Sequence, residues 1–164
     1  IEKVLETNSP SMDIQIASNF ERLIFDLNNH SDKKTIDVMK NIKEKGKYEI
    51  KKESLDKINL DFLSSRLDEN EVLNTIKIVY EKFEKVLDPH SAIGYGAFDK
   101  VNLKGNNIVL ATAHPCKFPD AIENALNIKA ELPDELAFIL NEKENYDIIE
   151  NNLNKIKKHI KERI

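Results

Sequence analysis

The chain has 164 residues, which is long enough for one domain with a substantial core. Its composition, 40% hydrophobic and 33% charged residues, is typical of a globular protein. Its formal net charge of −4, with acidic and basic residues interspersed, argues against a broad surface for nucleic acid or anionic membranes. The single cysteine excludes an internal disulfide, and no apolar run is long enough to span a bilayer, so we expect a protein of the reducing cytoplasm.

The N-terminal part carries signals for two helices. Ser18 and Glu21 form a capping-box pattern, which predicts a helix from Asn19 to about Leu27. Asp32 is expected to cap a second helix, which has apolar residues at helical spacing. Gly46 is expected to end that helix in a left-handed conformation.

The strongest helix signal follows two weak strand candidates, residues 48–50 and 62–67. Asp68 and Glu71 form a second capping pair, which predicts a helix start. Apolar residues then recur at helical spacing and are expected to share one buried face: Val72, Ile76, Val79, Tyr80, Phe83 and Leu87.

The next helix is expected to be short. Asp88 precedes Pro89, and a residue before proline is disfavoured in the helical region, so the strong helix should end there. Ser91 is then predicted to cap a helix containing Gly94 and Gly96, which allow close approach of another backbone.

Residues 108–126 predict a strand, a polar loop and a helix in close succession. The apolar run from Ile108 to Ala111 is the predicted strand, and Pro119 starts the helix. Ligands of open α/β sheets bind beyond the carboxyl ends of the strands, so Thr112 and His114 are expected at a ligand-binding edge. A plain β–α connection is the alternative.

The C-terminal part predicts two more helices. Pro133 and Asp134 open one that runs to about Leu140, and residues 145–164 form a helix with one apolar stripe. The basic cluster at residues 155–161 is expected to be a solvated face, with nucleic-acid binding as the alternative.

Three stretches, in series, resemble the threonine synthase family. They are Ser-Pro-Ser-Met-Asp-Ile at 9–14 with Ser-Asn-Phe-Glu-Arg-Leu at 18–23, Asp-Pro-His-Ser-Ala-Ile-Gly at 88–94, and Thr-Ala-His-Pro-Cys-Lys-Phe-Pro at 112–119. The chain departs from the family pattern at three positions: Asn8 for Leu, Ser91 for Thr and Cys116 for Ala. Residues 31–60 match no part of the pattern, so we expect a family-variable helical insertion there.

The resemblance implies an α/β fold, the C-terminal part of a tryptophan synthase β-subunit-like fold that binds pyridoxal phosphate, helix-rich with a few strands. Residues 1–164 would form the C-terminal portion of the catalytic domain, with residues 141–164 as a C-terminal helix packing on it. The chain begins at Ile1 without Met or a signal-like segment, which agrees with a piece of a longer protein.

The family's reaction converts O-phospho-L-homoserine and water to L-threonine and phosphate with pyridoxal 5'-phosphate. The four glycines, at 46, 94, 96 and 105, form no phosphate cradle, and no lysine matches the family's Schiff-base lysine. The resemblance therefore implies that no catalytic residue lies in this chain, that the N-terminal portion of the enzyme is its partner, and that this fragment is inactive alone.

The resemblance implies one cofactor-binding residue, Thr112, whose hydroxyl would face the pyridine nitrogen. A neutral hydroxyl there tunes the electron demand of the ring, whereas an aspartate would hold a positive charge. The alternative is a hydroxyl that bonds to its own loop.

Further candidates for a substrate or active-site loop fall within the matching motifs: Asp88, His90, Ser91, His114 and Lys117. Both histidines are expected in loops, and cationic donors suit the oxygens of a phosphorylated substrate. A structural hydrogen-bonding role is the alternative for each histidine.

Cys116 is expected to be an inert packed thiol, with a reactive thiol as the alternative. The histidines and the cysteine show no metal-ligand spacing, so no metal site is predicted.

Two other functions remain open for the chain. One is a non-catalytic interaction domain derived from such an enzyme. The other is a different lyase of the same cofactor fold, such as a threonine dehydratase or a cysteine synthase, although the loops at Asp88 and His114 are not typical of those.

Overall fold

The computed structural model describes residues 4–101 and 103–164, which divide into two units, one reaching Glu131 and one spanning Leu132–Ile164. The α-helices of the first unit are α1 (Ser18–Leu27), α2 (Asp32–Lys45), α3 (Lys52–Asp61), α4 (Glu69–Phe83), α5 (Pro89–Val101) and α6 (Pro119–Leu126). The second unit contains α7 (Leu153–Lys161). Three 3-10 helices complete the described elements: Pro10–Met12, Pro115–Lys117 and Asp134–Asn141.

The core of the first unit lies where α4 packs against α5 and α6. Val72 and Ile76 of α4, Ala92 of α5 and Ile122 of α6 are each 0% exposed and form one apolar cluster. Burying branched side chains of this size contributes about 1.5–3 kcal/mol each. The packing of α4 on α5 therefore holds the beginning of α5 in place.

Both ends of α4 follow from local chemistry. The predicted capping box is confirmed: Asp68 Oδ1 accepts from the Glu71 backbone N at 2.9 Å, and Glu71 Oε2 accepts from the Asp68 backbone N at 2.8 Å. The helix ends at Phe83 because Glu84 adopts the left-handed conformation, with φ of 55°. The predicted end at Asp88 was therefore wrong.

The buried face of α4 is narrower than predicted. Val72, Ile76 and Val79 are buried, but Tyr80 and Phe83 are 36% and 49% exposed. The prediction that Leu87 lies on this helix face was also wrong, because the helix has ended by then. An apolar residue in a helical pattern is buried only where another element covers it.

The predicted helix starts at Ser18 and Asp32 were each displaced by one residue. Ala17 is the N-cap of α1, and Ser18 is the first helical residue, so the predicted capping box does not form. Ser31 caps α2 instead of Asp32, with its Oγ accepting from the Lys34 backbone N at 3.5 Å. The predicted left-handed end of α2 at Gly46 is confirmed, with φ of 68°.

No strand forms among residues 4–101 and 103–164, so the predicted strands at 48–50, 62–67 and 108–111 were wrong. The expected few strands of an α/β fold are absent from this described part, which is helical. The backbone at 108–111 is irregular, and Ile108 and Leu110 are 89% and 72% exposed. A strand exists only with a partner that accepts its hydrogen bonds, and no described segment pairs with these residues.

The segment that matched no family pattern, residues 31–60, covers α2 and all of α3 except its last residue, so its predicted helical character is confirmed. The C-terminal predictions were partly wrong. The segment after Pro133 is a 3-10 helix, and the tail is helical only over Leu153–Lys161. Whether the tail packs on the first unit remains a prediction.

None of the described helices is long and apolar enough to cross a membrane.

The two glycines of α5 permit close packing, although by side chains and not by another backbone as predicted. A Cβ on Gly96 would collide with Leu67 and would lie 3.0 Å from Thr75 Oγ1. A Cβ on Gly94 would lie 3.2 Å from Val109 Cγ1. The small residues of α5 thus let α4 and the segment before Thr112 approach the helix closely.

Candidate functional site

The three sequence motifs meet at the beginning of α5. A continuous set of hydrogen bonds, here called the Asp88 network, joins Ser11, His90, Asp88, Ser91 and Thr112. Three of these residues are almost fully buried: Asp88 at 1%, His90 at 6% and Ser91 at 2% exposure. The first motif contributes Ser11, the second contributes the buried residues and the third contributes Thr112.

Asp88 anchors the network at the N-terminus of α5. Its Oδ1 accepts from the backbone N of His90 and from His90 Nδ1, both at 3.0 Å, and its Oδ2 accepts from Ser91 Oγ. Its carbonyl also accepts from the Ala92 backbone N at 2.9 Å, as in a helix cap. The positive end of the helix dipole favours a carboxylate at this position. Asp88 therefore caps α5, and the prediction of Ser91 as the cap was wrong.

His90 lies in the first turn of α5, so its predicted place in a loop was wrong. Its Nε2 accepts from the Ser11 backbone N at 3.2 Å, and its Nδ1 lies 3.0 Å from the Asp88 carboxylate. An Nε2 that accepts carries no proton, so Nδ1 carries it and donates to Asp88. The ring also packs on Phe118, with centroids 4.8 Å apart.

Ser91 connects the buried carboxylate to the third motif. Its hydroxyl donates to Asp88 Oδ2 and accepts from the Thr112 backbone N at 3.0 Å. A hydroxyl has one donor and two acceptor positions, so it can make both bonds at once. The second and third motifs are thereby joined by a single side chain.

Thr112 is exposed, and its backbone is held by Ser91. Its hydroxyl forms no hydrogen bond with any residue that the structure describes. The alternative in which this hydroxyl bonds to its own loop is therefore not what the structure contains. The arrangement presents a neutral donor and acceptor at a fixed backbone position.

The remaining candidates lie on the 3-10 turn that follows Thr112. His114 is exposed, and its Nδ1 accepts from the Cys116 backbone N at 3.2 Å, which caps the turn. Lys117 is exposed, and Cys116 is a partly buried free thiol. The structure does not bring His114 or Lys117 into the Asp88 network. A cleft of about 530 Å³ opens beside the turn, lined in part by Ala111, Ala113, His114 and Lys129.

The loop before α1 has its own supports. Asp13 accepts from the Thr7 backbone N at 2.8 Å and from Thr7 Oγ1 at 2.7 Å. Glu69 Oε2, in the first turn of α4, accepts from the Asn8 backbone N at 3.0 Å. These bonds fix the loop on α4, so that Ser11 reaches His90.

Three residues of the site were not singled out from the sequence. Ser11 and Phe118 both contact His90, and Ser9 is 1% exposed with an Oγ that has no hydrogen-bond partner among the described residues. All three lie inside the matching motifs, and that location was the available signal. Across residues 4–101 and 103–164, no group of three His, Cys, Asp or Glu side chains could hold a metal ion.

Comparison with known proteins gives one consistent family. The model of the family "Threonine synthase, C-terminal" matches residues 91–160. The chain is 38% identical to threonine synthase of Saccharomyces cerevisiae, over 82% of this chain and 31% of that protein. It is 35% identical to threonine synthase of Pseudomonas aeruginosa, over 90% of this chain and 32% of that protein.

A solved structure agrees with these relatives. The fold is similar to that of threonine synthase from Brucella melitensis bound to pyridoxal phosphate, with a TM-score of 0.82 and 36% identity. That similarity covers 98% of this chain and 35% of the solved chain. The chain likewise spans about a third of the length of the Saccharomyces and Pseudomonas relatives.

Proposed function

Because the chain belongs to the threonine synthase family, matching its C-terminal portion, we propose that it is the C-terminal part of an enzyme with that activity. The complete protein converts O-phospho-L-homoserine and water to L-threonine and phosphate, with pyridoxal 5'-phosphate as cofactor. This chain supplies one wall of the cofactor site. The observation that carries the proposal is Thr112, an exposed residue whose backbone is held by Ser91.

The residues at this position fit the cofactor. Pyridoxal phosphate withdraws electrons from a bound amino acid through its pyridine ring, and the groups near the ring nitrogen tune that withdrawal. Thr112 offers a neutral hydroxyl with no hydrogen-bond partner among the described residues, so it is available to such a nitrogen. The buried carboxylate of Asp88 is occupied by three donors and is not available to the cofactor.

The exposed segment at residues 108–111 supports a site completed by the rest of the protein. Its apolar side chains at 108 and 110 are exposed, although the sequence pattern is that of a buried strand. We propose that this segment joins a sheet of the N-terminal portion, within a tryptophan synthase β-subunit-like fold. The Schiff-base lysine and the phosphate cradle then come from that portion.

The candidate substrate residues divide into two groups. His114 and Lys117 are exposed on the 3-10 turn after Thr112, and they are assigned to the phosphorylated substrate because cationic donors suit phosphate oxygens. The other group is buried and is assigned a structural role within the Asp88 network. Its members are Asp88, His90 and Ser91.

The location proposed for the protein is the cytoplasm. The one thiol of the chain, Cys116, is free, and a free thiol is compatible with a reducing compartment. Fractionation of the native cells, with antibody detection of the protein, tests this assignment.

The test of the proposed function uses the complete protein, with the sequence upstream of Ile1 restored. Thr112→Ala is compared with Thr112→Ser, which keeps the hydroxyl. We expect Thr112→Ala to shift the absorbance of bound pyridoxal phosphate and to lower kcat by at least about tenfold, the equivalent of about 1.4 kcal/mol. Thr112→Ser should stay near the wild type.

An unchanged spectrum and rate for Thr112→Ala would remove this residue from the cofactor site. A complete protein that neither binds pyridoxal phosphate nor forms threonine would instead favour the non-catalytic interaction domain. The two outcomes are separate, because the first needs a working wild-type enzyme.

A further inference from the structure

We propose that Ser91 is a positioning residue, which sets the place of Thr112 against the cofactor by holding its backbone on the buried carboxylate of Asp88. This inference rests on the proposed function, since it concerns the same cofactor contact. It adds to that function a residue that does not itself touch cofactor or substrate.

Thr112 has little other than Ser91 to fix its position. Residues 108–111 before it form no regular structure, and Thr112 is exposed. Among the described residues, the hydrogen bond from its backbone N to Ser91 Oγ, at 3.0 Å, is the polar contact that it makes. Removal of this bond therefore frees the backbone that carries the hydroxyl.

The hydroxyl of Ser91 itself has a defined orientation. Its proton goes to Asp88 Oδ2, so an oxygen lone pair is left to face the Thr112 N–H. Ser91 is 2% exposed and Asp88 1% exposed, so solvent does not compete for the bond between these two side chains. A bond to a carboxylate is also stronger than one between neutral groups.

Asp88, to which Ser91 donates, is held firmly in place. Asp88 accepts two further bonds from His90, and it caps α5 through its carbonyl. The residue next to Ser91, Ala92, is fully buried in the core cluster with α4 and α6. Ser91 and Asp88 thus connect the backbone of Thr112 to the buried core of the first unit.

The experiment compares Ser91→Ala with Ser91→Thr in the complete holoenzyme. The alanine removes both hydrogen bonds, whereas threonine keeps the hydroxyl. The exposed Ser64, changed to Ala, is the matched control. The readouts are the absorbance spectrum of bound pyridoxal phosphate, its dissociation constant, and kcat separately from KM.

We expect Ser91→Ala to shift the spectrum in the same direction as Thr112→Ala and to lower kcat by up to about tenfold, the equivalent of about 1.4 kcal/mol, because the hydrogen bond that holds the Thr112 backbone is lost. Ser91→Thr and Ser64→Ala should keep the wild-type spectrum. The double variant Ser91→Ala with Thr112→Ala should show no further spectral change beyond Thr112→Ala, because Ser91 acts through Thr112.

Three results would overturn the positioning role. They are a wild-type spectrum in Ser91→Ala, an effect of Ser91→Ala that persists in full on the Thr112→Ala background, and an altered spectrum in Ser91→Thr. Should Ser91→Ala not fold, the spectrum of Ser91→Thr decides, with a wild-type spectrum expected. Thr112→Ala alone tests the cofactor contact, so a shift there without one in Ser91→Ala overturns the positioning role and leaves the proposed function intact.

Discussion

The imidazole Nε2 of His90 accepts a hydrogen bond from the backbone N of Ser11 across 3.2 Å, although the two residues are 79 positions apart in the sequence. On its other side the same ring donates to Asp88. One neutral, Nδ1-protonated histidine therefore ties the loop before α1 to the start of α5. Phe118 packs on the ring, so the third motif also meets it.

His90→Phe should destabilise the protein. The phenyl ring keeps the shape and the packing on Phe118, but it removes both ring nitrogens and leaves the Ser11 N–H without its partner. We expect the free energy of unfolding to fall by about 1–3 kcal/mol. Urea unfolding of the complete protein, followed by circular dichroism, measures the change.

The matched control is His30→Asn, because the His30 side chain is 71% exposed and asparagine tolerates its left-handed backbone. That variant should stay within about 0.5 kcal/mol of the wild type. Equal stabilities of the His90 and His30 variants would show that the buried bonds of His90 do not contribute.

Ile76→Ala should be more destabilising than Ile78→Ala, although both residues lie in α4. Ile76 is 0% exposed in the core cluster, while Ile78 is 46% exposed. We expect a loss of about 2–5 kcal/mol for the buried residue, from lost transfer free energy and the cavity left behind. Denaturant unfolding of both variants tests the order, and a similar loss for both would contradict this account of the core.

The ion pair between Glu71 and Lys100 should make stability depend on acid pH. The hydrogen bond from Lys100 Nζ, at 2.6 Å, is the main cause that lowers the pKa of Glu71 below its usual 4.5, and the Asp68 backbone N–H also lowers it. A lowered pKa in the folded state stabilises the protein above the unfolded pKa. That contribution disappears as the pH falls through the folded pKa.

Lys100→Met should therefore reduce the loss of thermal stability on acidification below about pH 4.5. Lys77→Met is the control, since Lys77 pairs with Glu81 at 3.9 Å on an exposed helix face. Melting temperatures of the three proteins are measured from pH 7 down to pH 3. Parallel curves for the wild type and Lys100→Met would argue against a contribution from this pair.

The 164-residue chain by itself should form no threonine. The chain spans about a third of the length of its yeast and Pseudomonas relatives. On the function proposed above, the Schiff-base lysine lies in the N-terminal portion. The purified chain, incubated with O-phospho-L-homoserine and pyridoxal phosphate, is assayed for threonine and phosphate. Turnover above that of heat-treated chain would mean that a catalytic lysine lies within these residues.

Features that depend on near neighbours in the chain were predictable from the sequence. The capping box of Asp68 and Glu71, the left-handed end at Gly46 and the start of α6 at Pro119 each arise within one helical turn. The motifs that identified the family are likewise short and contiguous. Such signals need no knowledge of the rest of the fold, because their hydrogen bonds close between residues a few positions apart.

The tertiary structure decided everything that depends on distant partners. Residues 108–111 have a strand pattern but no partner among the described residues, so the pattern alone could not make them a strand. His90 looked like a loop ligand, yet it is buried because α5 and the loop before α1 enclose it. By itself, the sequence determined which motifs this protein carries and where α4 and α6 begin. Only the tertiary structure determined that Ser91 would reach the backbone of Thr112, since that contact joins residues 21 positions apart.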